Sequence, residues 1–282
     1  MSERQWWPAP AKLNLFLHVL GRRADGLHDL QTIFQLIDLC DELAFEVTGD
    51  ATVTRIDPTD GIRASADLCV RAARALQRAA GVRAGARIRL RKRIPIGAGL
   101  GGGSSDAATT LVALNKLWGT GFDQARLSAI GRELGADVPV FVAGRSSWAE
   151  GVGERLTPVE LPLRWYLVLD PQIFVSTAEV FQSAELTRNS TPITMAGFLQ
   201  TGGRNDCESV VRQRFRAVND AILWLQANGA GNARLTGTGS CVFASFATAA
   251  EAERVAARVP DCWVARVARG LAESPLQAAM QT

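Results

Sequence analysis

The stretch at residues 95–106, PIGAGLGGGSSD, points more directly to chemistry than any other part of the sequence. Five of the seven residues from 97 to 103 are glycine. Glycine has no Cβ and adopts positive φ readily, so successive backbone amides can turn towards one bound group. Apolar residues then recur at helical spacing over 107–118, behind three predicted caps, Ser104, Ser105 and Asp106. A glycine loop leading into a helix N-terminus predicts a phosphate-binding site, because unpaired amides and the helix dipole both favour an anion.

Three charged residues elsewhere could act on a phosphate held by this loop. In the alternating strand predicted over 11–20, Lys12 and Asn14 share a face about 6.6 Å apart. They could touch one small substrate or simply form a solvated outer face. Lys92 lies on the apolar face of a strand over 86–94, directly before the glycines. Asp137, two residues before a proline, is expected either to cap a helix or to supply a carboxylate near the loop.

The elements that position these residues indicate a two-domain α+β protein. The 282 residues, of which 47% are hydrophobic and 21% charged, can bury a sizeable core. The second half mixes antiparallel strands with helices, among them one long amphipathic helix predicted over 205–227. The proline-containing segment 156–163 is the best linker. We therefore predict two domains, residues 1–160 and 161–282.

Composition excludes several classes of function. A net charge of +3 is too small to argue for a nucleic acid partner, and the alternating arginines of the strand over 86–94 lack interleaved aromatic residues. The five cysteines are odd in number and widely spaced, which favours free thiols over disulfides or a zinc site. No apolar run has bilayer length, and the N-terminus has no signal-peptide pattern. We expect a cytoplasmic protein without a membrane partner.

Two common nucleotide motifs do not explain the glycine loop. Residues 97–102 formally satisfy G-x-G-x-x-G, but the strand before them alternates in charge and no acidic strand end follows their helix. The P-loop pattern is absent because no lysine follows the glycines. A phosphate loop of a third kind remains.

The sequence is similar to the GHMP kinase superfamily, which includes galactokinase and the homoserine, mevalonate and phosphomevalonate kinases. The loop at 95–105 resembles the ATP-binding loop of that family. Five further stretches match in the expected order across nearly the whole chain: Pro10–Leu15, Arg23–His28, Gly135–Phe141, Asn205–Glu208 and Leu235–Gly239. The match is closest to the branch of the family whose substrate is a cytidine diphosphate-linked sugar alcohol.

The resemblance implies a fold, a reaction and two cofactors. The fold would pair an N-terminal ribosomal protein S5 domain 2-like domain with a C-terminal ferredoxin-like α/β-plait domain. The reaction would be transfer of the ATP γ-phosphoryl group to an alcohol, with Mg²⁺ bridging the phosphate oxygens. Asp137 would take the hydroxyl proton, and Lys12 would orient the carboxylate and the alcohol. No protein ligand for the metal is assigned, although Ser105 is a possible one. We expect a monomer or a weak homodimer.

The resemblance also implies two sets of binding residues. The ATP-binding set comprises Pro95, Ile96, Gly97, Ala98, Gly99, Leu100, Gly101, Gly102, Gly103, Ser104, Ser105, Lys92, Asp106 and Asp67. The substrate-binding set comprises Asn14, Leu27, His28, Thr177 and Phe181, with Phe181 stacking on the base. Leu27 stands where this branch usually has an aromatic residue, so base stacking is expected from one side only. Asp67 and Asp106 stand where asparagine is common.

Two alternative functions remain open at this point. One is a GHMP kinase for another small alcohol, of the homoserine or mevalonate type. Such an enzyme needs no base pocket, so the loop at 25–28 and Phe181 argue against it. The other is a regulatory or structural nucleotide-binding protein that lacks catalysis. The presence of both Lys12 and Asp137 argues against that possibility.

Overall fold

The computed structural model describes residues 5–57 and 66–281. Over these residues the elements follow in the order β1 (Trp7–Arg22), β2 (His28–Thr48), β3 (Val53–Arg55), α1 (Leu68–Ala80), β4 (Gly85–Arg91), α2 (Gly102–Leu117), α3 (Gln124–Leu134), α4 (Val138–Ala143), β5 (Ser147–Gly151), β6 (Arg155–Pro158), β7 (Trp165–Asp170), α5 (Thr177–Gln182), α6 (Met195–Thr201), α7 (Glu208–Arg214), α8 (Arg216–Ala227), β8 (Arg234–Leu235), β9 (Val242–Phe246), α9 (Ala249–Ala256), β10 (Val264–Leu271) and α10 (Pro275–Gln281). None of these helices is both long enough and apolar enough to cross a membrane.

The long strand β2 is the centre of the sheet. One of its edges pairs with β1, and the other pairs in turn with β5, β10 and β4. Strand β10 continues the sheet into the second half through β7, β9 and β8. The pairs are antiparallel except for the short parallel pair of β3 and β4. This mixture of mostly antiparallel strands and helices confirms the predicted α+β class.

Strand β1 is buried along most of its length on both faces, so it carries its polar residues into the interior. Lys12 is 4% exposed and Asn14 is 2% exposed. A solvated outer face is therefore the wrong interpretation of the alternation. Pairing with β2 is interrupted between Asn14 and Leu17, where the register shifts.

The structure has two large hydrophobic cores and a third, smaller cluster, and Leu17 and Val19 of β1 belong to the second core with residues of the second half. Leu13, Leu100 and Phe243 belong to the third cluster and join β1, the glycine loop and β9. The end of the chain crosses back to the first half, because β10 pairs with β2 and Leu276 of α10 is buried in the first core. The division at residue 160 stays a prediction.

Two local predictions are wrong. The segment 205–227 forms two helices, α7 and α8, because Phe215 between them has extended backbone angles. Phe215 is apolar and in phase with its neighbours, so periodicity alone does not reveal the break. Helix α2 begins at Gly102 with Gly101 at its N-cap. Ser104, Ser105 and Asp106 therefore lie inside the helix, and none of them is the cap.

Candidate active site

Lys12 and Asn14 are buried side chains of β1, and Lys12 lies directly beside the glycine loop. The Lys12 Nζ donates a hydrogen bond of 2.5 Å to Asn14 Oδ1 and lies 3.4 Å from Asp137 Oδ2. The Asn14 side-chain amide donates to Thr32 Oγ1 at 2.9 Å, which fixes the side-chain orientation. The buried lysine thus has an oxygen partner on its own strand and a carboxylate from another element.

Asp137 stands directly before α4, where an aspartate usually caps the helix. Its side chain makes no capping hydrogen bond, and Pro139 near the start of the helix has no N–H to offer. The carboxylate is free to pair with Lys12 and keeps 32% of its surface exposed. Of the two roles predicted for Asp137, helix capping is wrong. The structure brings the carboxylate to the lysine.

The glycine loop takes backbone angles that other residues rarely adopt. Gly97, Gly99 and Gly101 have φ of 69°, 77° and 72°. A Cβ on Gly101 would lie 2.9 Å from the Phe141 ring and 3.2 Å from Lys12 Cε. The loop therefore packs directly against Phe141 and the catalytic candidate Lys12, and glycine is required at position 101 for that close approach.

The start of α2 carries the features of an anion site. Its N-cap, Gly101, makes no side-chain hydrogen bond to the first turn, so no side chain competes with a ligand there. Two buried oxygens near the start of α2, Ser105 Oγ and Asp106 Oδ1, have no hydrogen-bond partner in the described part of the chain. Unpaired amides and oxygens at one helix end can bind a phosphate and a hard cation together.

A buried charge cluster lies beneath this helix end. Lys92 Nζ donates to Asp41 Oδ2 and, at 2.8 Å, to Asp106 Oδ2. Burial lowers the pKa of Lys92, but the two carboxylates outweigh it and the net shift is upward. Burial raises the pKa of Asp106 to about 7, opposed by Lys92 and reinforced by Asp41. Sequence reasoning missed Asp41, which lies in a segment that is otherwise mostly apolar.

Asp67 is near the glycine loop, but its carboxylate already has internal partners. Its Oδ1 accepts hydrogen bonds from the amides of Cys69 and Val70 and so caps α1. Its Oδ2 pairs with Arg55. The next residue, Leu68, lies 3.2 Å from the position a Cβ on Gly103 would take. The nucleotide contact predicted for Asp67 stays a prediction.

Two of the residues predicted for the second substrate, His28 and Phe181, form an aromatic pair. The rings of His28 and Phe181 stack with centroids 5.1 Å apart. Arg188 Nε donates to His28 Nε2 at 3.1 Å and also bonds the Phe181 carbonyl. Burial lowers the pKa of His28, and the nearby arginines 188 and 22 lower it further. Leu27, next to His28 in the chain, is 53% exposed. Sequence reasoning missed Arg188.

The turn at residues 235–241 packs against several elements of the candidate site. The backbone amide of Asn14 donates to Thr236 Oγ1 at 3.0 Å, and the backbone amide of Cys241 donates to the Ala98 carbonyl at 3.1 Å. Thr238 Oγ1 lies 2.8 Å from Thr177 Oγ1, at the start of α5. The turn therefore joins β1, the glycine loop and α5. Its glycine-rich pattern is visible in the sequence, but the positioning role of Thr236 is not.

Comparison with known families agrees with this arrangement. The model of the GHMP kinases N terminal domain matches residues 67–145, and the model of the GHMP kinases C terminal domain matches residues 184–265. The chain belongs to the GHMP kinase family. This GHMP kinase has the two-domain fold of the family, and family membership implies that it uses ATP.

Individual relatives show which members of the family the chain resembles. The chain is 55% identical over 276 residues to the 4-diphosphocytidyl-2-C-methyl-D-erythritol kinase of Alkalilimnicola ehrlichii, covering 98% of this chain and 94% of the relative. A crystal structure of 4-(cytidine 5'-diphospho)-2C-methyl-D-erythritol kinase is 35% identical with a TM-score of 0.82, covering 94% of this chain and 99% of that one. A homoserine kinase from Cytophaga hutchinsonii is 16% identical with a TM-score of 0.71, covering 97% of each chain, and shares the fold alone.

Proposed function

We propose that this GHMP kinase phosphorylates the 2-hydroxyl of 4-diphosphocytidyl-2-C-methyl-D-erythritol, giving the 2-phosphate and ADP. The reaction belongs to the non-mevalonate route to isoprenoid precursors. The observation that carries the proposal is the near full-length identity to the Alkalilimnicola ehrlichii kinase of that name. The stacked pair of His28 and Phe181 supports it, because a base needs a flat apolar surface and a homoserine or mevalonate does not.

Lys12 and Asp137 carry the chemistry in this proposal. The substrate oxygen attacks the γ-phosphorus, the bond to the β–γ bridging oxygen breaks, and the hydroxyl proton passes to Asp137. The transition state of phosphoryl transfer is loose, so the proton leaves late and positioning of the reactants dominates. Lys12, held by Asn14, orients the Asp137 carboxylate and places a positive charge near the transferred group.

The glycine loop and the start of α2 hold the triphosphate. The ATP-contacting residues are those of the loop from Pro95 to Ser105, together with Lys92, Asp106 and Asp67. Mg²⁺ fits the two unpartnered buried oxygens near the start of α2, Ser105 Oγ and Asp106 Oδ1, which are hard donors of the kind it prefers. When bound, it would neutralise charge on the phosphate oxygens. No group of three or more His, Cys, Asp or Glu that could hold a metal occurs among the described residues, so the phosphates would supply the remaining ligands.

The cytidine diphosphate part of the substrate lies against the stacked pair of His28 and Phe181. Phe181 stacks on the cytosine, His28 hydrogen-bonds to it, and Thr177 contacts the diphosphate. Asn14 is the substrate-binding residue beside the reacting alcohol, because its Oδ1 accepts a hydrogen bond from the Lys12 ammonium that also pairs with Asp137. Leu27 covers the outer face of the base without an aromatic ring, so stacking is one-sided. The enzyme acts in the cytoplasm as a monomer or weak homodimer.

ATP consumption tests the substrate directly. Purified protein is assayed in parallel with the cytidyl substrate, homoserine and mevalonate, with ADP release and the phosphorylated product both measured. Turnover is expected with the cytidyl substrate alone. Turnover with only homoserine or mevalonate would contradict this proposal and indicate a kinase for another small alcohol. No turnover with any of the three alcohols would favour a non-catalytic nucleotide-binding protein.

A further inference from the structure

Asp41 connects the central strand to the segment that leads into the glycine loop. The side chain of Asp41 is completely buried. Its Oδ1 accepts hydrogen bonds from the backbone amides of Arg93 at 2.5 Å and Ile94 at 2.9 Å, and its Oδ2 accepts one from Lys92 Nζ. One carboxylate thus binds three consecutive residues that follow β4 and precede the loop.

The position of Lys92 gives this contact a functional meaning. Its ammonium lies 3.2 Å from the place a Cβ on Gly102 would occupy, which sets it against the first residue of α2. A positive charge there opposes the helix dipole, and the carboxylates of Asp41 and Asp106 compensate for it. An ammonium has three N–H groups, so these two partners leave one for an oxygen of the nucleotide.

Asp41 and Asp106 differ in what they offer to a ligand. Both oxygens of Asp41 are taken up by Lys92 and the two amides. Asp106 gives one oxygen to Lys92, and its other oxygen is unpartnered within the described residues. Asp41 therefore has the contacts of an anchor, whereas Asp106 has those of a group that meets the nucleotide.

We infer that Asp41 is a positioning residue for nucleotide binding, which acts by holding Lys92 and the backbone of residues 93 and 94 in place for ATP. The inference rests on the proposed function, because it assigns ATP to the glycine loop. Preorganisation of this kind lowers the cost of ordering the site when the ligand binds. Asp41 does not touch the Lys12–Asp137 pair, so its effect falls on nucleotide affinity rather than on the transfer step.

A double-mutant cycle between Asp41 and Lys92 tests this role. Asp41→Asn keeps the size of the side chain and an oxygen for the two amides but removes the charge that holds Lys92. Binding of a non-hydrolysable ATP analogue is measured by calorimetry without any alcohol. We expect Asp41→Asn and Lys92→Met each to raise the Kd by about tenfold, and the double variant to resemble Lys92→Met within about twofold. In the full assay, KM for ATP rises while kcat and KM for the alcohol change by less than about threefold.

Asp206→Asn is the matched control. Asp206 is also a buried carboxylate that binds a backbone amide, that of Val19 at 2.7 Å, and a cation, Arg204, but its carboxylate oxygens bind only Val19, Ser190 and Arg204 within the described residues, none of which belongs to the loop. This variant is expected to lose thermal stability with the analogue Kd unchanged. The inference would be overturned if the effects of Asp41→Asn and Lys92→Met on the analogue Kd add in the double variant. It would also be overturned if Asp41→Asn raises KM for ATP and KM for the alcohol equally. If Asp41→Asn does not fold, wild-type affinity in Lys92→Met overturns it instead.

The outcome for Asp41 is separable from the outcome for the proposed substrate. Binding of the ATP analogue is measured without the alcohol. The double-mutant cycle can therefore be completed even if the cytidyl substrate does not react. Conversely, an additive cycle leaves the turnover of the cytidyl substrate untouched.

Discussion

The ammonium of Lys12 and the carboxylate of Asp137 lie 3.4 Å apart although the two residues are far apart in the chain. One comes from the middle of a buried strand and the other from the residue before a short helix. The side chain of Lys12 is 4% exposed to solvent, whereas that of Asp137 is 32% exposed. The lysine is therefore held by the protein, and the carboxylate remains accessible to an incoming hydroxyl.

Replacement of this pair should abolish transfer without abolishing nucleotide binding. We expect Asp137→Asn and Lys12→Ala to lower kcat by about 10² to 10⁴, because each removes a group that acts on the reacting atoms. ATP affinity should change little, since the glycine loop is intact. Steady-state kinetics and binding of an ATP analogue measure the two effects. Near-normal turnover in Asp137→Asn would show that Asp137 is not the base.

Asp123 provides the matched control for Asp137. Its side chain caps α3 by accepting from the Arg126 amide at 2.8 Å, whereas Asp137 caps nothing. Asp123→Ala should lower the free energy of unfolding by about 1 kcal/mol and leave turnover unchanged. A loss of turnover in this variant would point to a general loss of folding rather than to a catalytic role.

Gly99 should tolerate no side chain. It has φ of 77°, and a Cβ there would collide with the Thr236 carbonyl oxygen. Gly99→Ala should cost about 2 to 5 kcal/mol of stability and most of the ATP affinity, because both backbone strain and overlap oppose it. Gly119→Ala is the control, since Gly119 has φ of 64° but open space around it. Urea unfolding should show a loss of about 1 kcal/mol there. Equal losses at both sites would contradict the close packing of the loop.

An aromatic residue at position 27 should tighten substrate binding. Leu27 is exposed at the rim beside the stacked pair of His28 and Phe181. Leu27→Phe should lower KM for the cytidyl substrate by about threefold to tenfold, because a second ring would face the base. KM for ATP should stay the same, and Phe181→Leu should raise KM for the cytidyl substrate. An unchanged KM in Leu27→Phe would place the base elsewhere.

Stability should fall as the solution becomes acidic, in part through His18. Burial lowers the pKa of His18 from its ordinary value of 6.5; Asp206 opposes the shift and Arg204 adds to it. The unfolded chain therefore takes up the proton first, so stability is complete above pH 6.5 and falls as the pH drops towards the folded pKa. The urea midpoint at about pH 5.5 and at about pH 7.5 measures this loss. His18→Gln should lose less than wild type over that interval, and an equal loss would assign the effect to His28 and the carboxylates.

Much of the candidate site follows from local sequence pattern. The glycine run predicts a phosphate loop because only glycine fits repeated positive φ, and the alternation of β1 places Lys12 and Asn14 on one side. The family resemblance, now confirmed, named the partners of the loop in advance. The start of α2 was misplaced, because a glycine N-cap leaves no polar signal in the sequence and the serines within the first turn imitate one.

The sequence by itself determined the class of element, the phosphate loop and the residue types that could do the chemistry, because these depend on backbone preferences and on spacing within short segments. The family resemblance implied the pair of Lys12 and Asp137, but only the tertiary structure decided that Arg188 holds His28 and that Asp41 anchors Lys92. Each of these contacts joins residues distant in the chain. Such a contact depends on how β2 packs against the segments that follow β4 and α5, and no local pattern records that packing.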